Sequence, residues 1–169
     1  MKTEKQKELE AAFLLIVDDA HKETFMQLMD CLEGFGYYPQ KERSNLSFKH
    51  DSHNKQIAKM SIRKGKEPQP IFALRFSACK EYSQRFADIV EVAIIRYPHK
   101  TPRCVSNGCD FCPGAPDTHI YTRVFSNERK SLCGAYALEI PNLSAQDIDE
   151  IKKLIKEQND YLLRYEAKK

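Results

Sequence analysis

Residues 58–63, Ala-Lys-Met-Ser-Ile-Arg, alternate apolar and polar side chains without interruption. Ala58, Met60 and Ile62 fall on one side of an extended chain, and Lys59, Ser61 and Arg63 on the other, because successive strand side chains point to opposite faces. The same period of two occurs just before and just after. Leu46, Phe48 and His50 alternate with polar residues, and Phe72, Leu74, Phe76 and Ala78 alternate with Ala73, Arg75 and Ser77. The connections, residues 51–55 and 64–70, are short and polar, and short connections join antiparallel neighbours. These residues predict three adjacent antiparallel strands.

Helical spacing takes over on either side. Leu9, Phe13, Ile16 and Val17 predict a first helix over residues 4–17. Phe25, Leu28, Met29 and Leu32 predict a second, stopped by Gly34 and Gly36. Asp18-Asp19 either separates the two or caps the second. Tyr82, Phe86, Ile89, Val90, Ala93, Ile94 and Tyr97 make a broad apolar face for a helix over residues 81–97, which Pro98 ends. Two further strands are expected at Ile120–Val124 and Leu132–Ile140, joined through residues 126–130. A last helix starts at Ser144, with Asp147 completing a capping box and Leu143 and Ile148 as its hydrophobic staple. The expected fold class is α+β: an antiparallel sheet of about five strands, helices mainly on one face, and a cysteine-rich loop. One domain over residues 1–169 is expected, with a frayed tail at 165–169.

Composition narrows the function classes. The 169 residues are 41% hydrophobic and 30% charged, with 27 basic and 24 acidic side chains and a net charge of +3. That balance suits a folded domain. The basic excess is small and dispersed, so nucleic acid is not an expected partner. The longest apolar run, residues 11–17, is too short to span a membrane and is flanked by acids, which argues against a signal peptide. A cytoplasmic protein is expected, and there six cysteines favour metal binding or reduced thiols over disulfides.

Residues 98–118 carry the most specific signal. Cys104, Cys109 and Cys112 lie among prolines and glycines, and Cys133 follows, giving C-x4-C-x2-C-x20-C. Zinc takes four tetrahedral ligands and thiolates are among its best. Asn107-Gly108 and Pro113-Gly114 supply the turns that let neighbouring cysteines face one ion. The expected metal set is therefore Cys104, Cys109, Cys112 and Cys133 around structural Zn²⁺, with His119 or His99 as substitutes for Cys133. Four closed thiolates leave no open position for substrate, so a catalytic role is not expected.

Three alternatives remain. The x4 and x2 gaps also fit a [2Fe–2S] cluster, although Val105, Asn107, Asp110 and Phe111 are bulky for that loop. Thiol exchange at Cys109 and Cys112 would want a helix N-terminus after a strand. The last alternative is a set of reduced thiols with no metal. Cys31 and Cys79 sit in apolar surroundings and read as core residues. His21, His50 and His53 lack metal spacing, Asp18 and Asp19 read as helix caps, and no phosphate loop or nucleophile motif occurs.

Two other features are suggestive. Phe35, Tyr37, Tyr38 and Pro39 follow a helix end, where rings pack on a sheet or line a pocket. The polar sheet face, with Lys59, Ser61, Arg63, Arg75 and Ser77, suits solvent or a small anion. The segment from Cys104 to Ile155 also resembles a group of uncharacterised small bacterial proteins. They share a three-cysteine Pro/Gly loop, a hairpin with one further cysteine, an aromatic strand ending near Pro-Asn-Leu, and a final helix. That resemblance implies no activity. The functional expectation is a binding module for a small molecule or a protein, with a redox protein as the alternative.

Overall fold

A computed structural model describes residues 1–106, Cys109, Phe111, Cys112 and 114–166, the last two of these by backbone alone. The expected turn residues Asn107, Gly108 and Pro113, together with Asp110 and tail residues 167–169, lie outside the described residues.

Two helices open the chain. α1 (Glu4–Ile16) starts at a capping box between Thr3 and Gln6. α2 (Asp19–Gly34) starts at Asp18, whose carboxylate accepts the Ala20 N–H at 3.1 Å. Asp18 therefore both separates and caps. Gly36, at φ +80°, turns the chain out of α2, a conformation that glycine adopts without a Cβ clash.

Four consecutive antiparallel strands follow: β1 (Tyr37–Glu42), β2 (Asn45–His50), β3 (Gln56–Arg63) and β4 (Gln69–Leu74). The three strands expected from alternation are β2, β3 and β4. Strand β1 was not anticipated, because Pro39 and the polar run after it hide its pattern. It lies at the sheet edge, where a missing N–H is tolerated. Tyr37 is thus a strand residue with no exposed surface.

α3 (Gln84–Arg96) follows, then a four-residue helical turn α4 (Arg103–Ser106), then a hairpin of β5 (Tyr121–Phe125) and β6 (Glu128–Leu132). This hairpin is a separate two-stranded sheet. Its two-residue turn, Ser126-Asn127, has φ of 45° and 71°, the mirror-image turn that matches strand twist. The long strand expected at 132–140 is broken at Gly134, and only β7 (Leu138–Glu139) joins the main sheet, beside β4. The resulting order is β1-β2-β3-β4-β7. Gly134 must turn there. A Cβ on it would overlap the His119 carbonyl oxygen and stand 2.7 Å from the Ser77 hydroxyl.

The chain ends in α5 (Ile148–Glu166), introduced by the expected Ser144–Asp147 box. The helix runs through residues 165 and 166, the first two of the expected tail.

The register puts Ala58, Met60, Phe72 and Leu74 on one sheet face. All four are fully buried, within one core cluster that includes residues of α1, α2 and α5. Lys59, Ser61, Ile71, Ala73 and Glu139 share the opposite face. α3 packs against β5, β6 and β7 and overhangs that second face, leaving a groove between. The architecture is α+β with a five-stranded antiparallel sheet, as expected, but its helices are divided between the two faces. Among the described residues, no helix is long and apolar enough to cross a membrane.

Candidate functional site

Pro98 ends α3, and the chain then meets the end of the β5–β6 hairpin. The Lys100 carbonyl accepts the Cys133 N–H at 2.9 Å. This single bond places Cys133 beside the start of the cysteine segment, answering how a residue 21 positions beyond Cys112 returns to it. Cys104 then rides on α4, and Cys109 and Cys112 follow. The segment is anchored to the main sheet at two points. Lys55, in the β2–β3 turn, donates to the Phe111 carbonyl at 2.9 Å and stands 5.6 Å from the Phe111 ring centre. Arg75, just past β4, points its Nη2 at the Cys112 sulfur, 3.4 Å away.

The four thiols are half-buried and share one electrostatic neighbourhood. Burial pushes the Cys104 thiol above its ordinary pKa, and the charges of Cys133 and Cys109 push it further. Burial also raises Cys112. Arg75 and Lys55 oppose that rise, while Cys133 and Cys109 add to it. Each outer cysteine thus feels the same two others, whereas Cys31 and Cys79 do not enter. Among the described residues, no three His, Cys, Asp or Glu side chains converge tightly enough to grip one ion as they stand.

Arg75 is the unusual member of the site. It is 1% exposed, the largest fully buried side chain among the described residues. Its Nε donates to the Gly134 carbonyl at 2.7 Å, which also accepts the Ser77 hydroxyl at 2.8 Å. No carboxylate among the described residues pairs with its guanidinium, which faces sulfur instead. A buried cation without a counter-charge costs several kcal/mol. The Cys112 sulfur is the group that its Nη2 meets.

The substitute ligands sit elsewhere. His119 is buried, with Nδ1 3.1 Å from the Tyr161 hydroxyl on α5. His99 is exposed, its ring edge-on to Tyr97. Cys79 is a core residue whose thiol donates to the Leu154 carbonyl at 3.4 Å, and burial raises its pKa strongly. Cys31 is half-buried on α2 against the same core. His50 and His53 stack face to face at 4.1 Å, next to Tyr37. Of the rings that follow α2, Tyr37 joins this cluster.

The polar sheet face divides into three parts. Lys59 and Ser61 line the groove under α3, which encloses about 710 Å³. Arg63 lies at the rim, paired with Glu139 at 2.7 Å. Arg75 and Ser77 are buried at the Gly134 turn. The far wall escaped the sequence reading: Val92 and Arg96 of α3, then Tyr97, Lys100 and Tyr136. The Lys100 ammonium lies 4.2 Å from the ring centres of both Tyr97 and Tyr136. Tyr97 and Lys100 are neighbours in sequence, but Tyr136 comes from beyond the hairpin, so no local pattern marks the trio. Lys100 therefore serves both places, its carbonyl holding Cys133 and its side chain standing in the groove wall. Comparison with protein-family models, curated proteins and solved structures gives no match to this chain.

Proposed function

We propose that Cys104, Cys109, Cys112 and Cys133 hold a structural zinc ion, and that the chain is a non-enzymatic binding module whose groove wall this centre steadies. The observation that carries the reading is the buried Arg75 guanidinium aimed at Cys112, with no carboxylate partner among the described residues. A zinc tetrathiolate is a net dianion. Arg75, backed by Lys55, would supply its counter-charge, much as hydrogen bonds from outer groups tune metal sites in general. Cys133 is favoured over His119 as fourth ligand because the Lys100 carbonyl holds it beside the start of the cysteine segment, while the His119 Nδ1 faces Tyr161. Binding would draw the thiolates inward to about 2.3 Å from the metal. It would tighten a segment that has no buried apolar residue in α4 to hold it.

The role of the metal is then mechanical. It would fix Cys133, and the Cys133–Lys100 bond would fix one wall of the groove. Elemental analysis of the native protein tests the assignment: about one zinc per chain and a colourless sample are expected. A brown sample with visible absorption and bound iron would replace this reading with a [2Fe–2S] electron carrier. Metal-free native protein with four titratable thiols would remove the metal altogether.

A further inference from the structure

We infer that the groove under α3 binds an amphipathic organic anion, an aliphatic carboxylate whose chain lies on the sheet and whose head meets Lys59 and Lys100. This deepens the reading of the groove as the binding surface and does not depend on the metal.

The apolar part is built from two sides. Ile71 and Ala73 of β4 lie below, and Ile89, Val92 and Ala93 of α3 lie above. Val92 is 60% exposed and Tyr136 41% exposed, so large apolar surface faces the opening. A volume of about 710 Å³ is within the range of sites for small organic ligands.

The charges decide what kind of ligand fits. Two of the ionised groups lining the groove are already satisfied by neighbours outside it. Arg85 pairs with Asp147 at 2.6 Å, and Glu139 with Arg63 at 2.7 Å. Three cations of the lining are left, Lys59, Arg96 and Lys100, against the carboxylate of Asp88, with Lys59 also feeling Glu42 beyond the groove. Asp88 takes a neutral hydrogen bond, from the Gln84 amide at 2.6 Å. Lys100 is held between two tyrosine rings, an arrangement that pins an ammonium without neutralising it. Arg96 rests on the outer side of Tyr97, 5.5 Å from its ring centre. A groove with apolar lining and an excess of cationic side chains complements a chain with an anionic head. Neutral alcohols would lack the head contact, and amines would meet like charge.

Calorimetric titration of the full chain with decanoate, 1-decanol and decylammonium tests this. Decanoate should bind, and the alcohol should bind about tenfold more weakly or worse, the loss expected for one charge-assisted contact. Lys59→Met and Lys100→Met should each weaken decanoate by about tenfold and leave decanol unchanged. Val92→Glu, at an exposed position where folding is not at stake, should abolish decanoate binding while thermal unfolding stays as in the parent. Equal affinity for decanoate and decanol, tighter binding of decylammonium, or no effect of any of the three substitutions would overturn the proposal. So would a concentration-dependent dimer in sedimentation that Val92→Glu dissolves, since the groove would then be covered by a second copy. Zinc content measured on the same samples keeps the two readings apart. Decanoate binding without zinc would fail only the metal assignment, and zinc without decanoate binding only this one.

Discussion

The main sheet and the cysteine segment are held by different forces. In the sheet, Ala58, Met60, Phe72 and Leu74 present an unbroken apolar face with no exposed surface, closed by Phe25, Leu28 and Ile151 among others. Hydrophobic burial alone accounts for that part. Among the described residues of 98–118, Pro102 alone is buried. α4 buries none of its side chains, and Val105 and Phe111 are more than half exposed. What ties the segment down is polar: Lys55 on the Phe111 carbonyl, Arg75 on Cys112, and Cys133 on the Lys100 carbonyl. A region built that way opens locally long before the core does. The proposed zinc would then order one segment of a chain whose core folds without it.

The contrast can be broken at its strong end first. Phe72→Ala should cost about 3–5 kcal/mol and lower the urea midpoint of the whole chain. A loss confined to one segment would mean that the sheet is not the common core. Gly134→Ala is next, on the order of 3 kcal/mol, because its Cβ would force the His119 carbonyl away and release Arg75 and Ser77 from the Gly134 oxygen. It should also weaken zinc uptake, which chelator competition would read.

At the weak end, Cys109→Ala should abolish zinc binding and strip hydrogen-exchange protection from residues 98–106, while amides of β3 and β4 keep theirs. Global unfolding in that variant would show that the two regions are one cooperative unit. Arg75→Met sharpens the electrostatic side. If the guanidinium balances a thiolate centre, the variant should bind zinc about tenfold or more weakly, the scale of one charge-assisted hydrogen bond. Its metal-free form should be as stable as the parent or more so, because no carboxylate among the described residues offsets the cost of burying that charge. Unchanged zinc affinity would detach Arg75 from the site. The smallest effect is expected at Ser144→Ala, about 1 kcal/mol from the lost α5 cap, with no change in zinc content.

The legible parts of this fold were those in which one residue and its near neighbours carry the whole signal. Asp18 caps α2, Ser144 and Asp147 open α5, and the alternation of residues 58–63 is β3. Two errors came from signals of the opposite kind. β1 is a strand because β2 offers it an edge, although Pro39 and Gln40-Lys41-Glu42 look like loop. The strand expected at 132–140 is cut because Gly134 meets His119 and Ser77, which are distant in sequence. The hairpin turn was placed in the right segment but is tighter than expected, two residues at Ser126-Asn127. The candidate site was half legible. The spacing of Cys104, Cys109 and Cys112 speaks for itself, and Cys133 fits by chemistry. Arg75 looked like one more polar residue on a solvent face, since alternation records which side a residue takes and not whether anything covers that side.

From its amino acids alone, then, the chain determined its periodicities, its helix caps, its near-balanced charge and the crowding of three cysteines into nine positions. These depend on local geometry and counting. Only the tertiary structure decided that Arg75 is sealed beneath Cys112, that Lys100 bonds Cys133 with its backbone and stands between two tyrosines with its side chain, and that α3 leaves a groove over the second sheet face. Each of these joins residues 30 or more positions apart or spans separate elements, and such contacts form where packing brings surfaces together, which no short stretch of chain encodes.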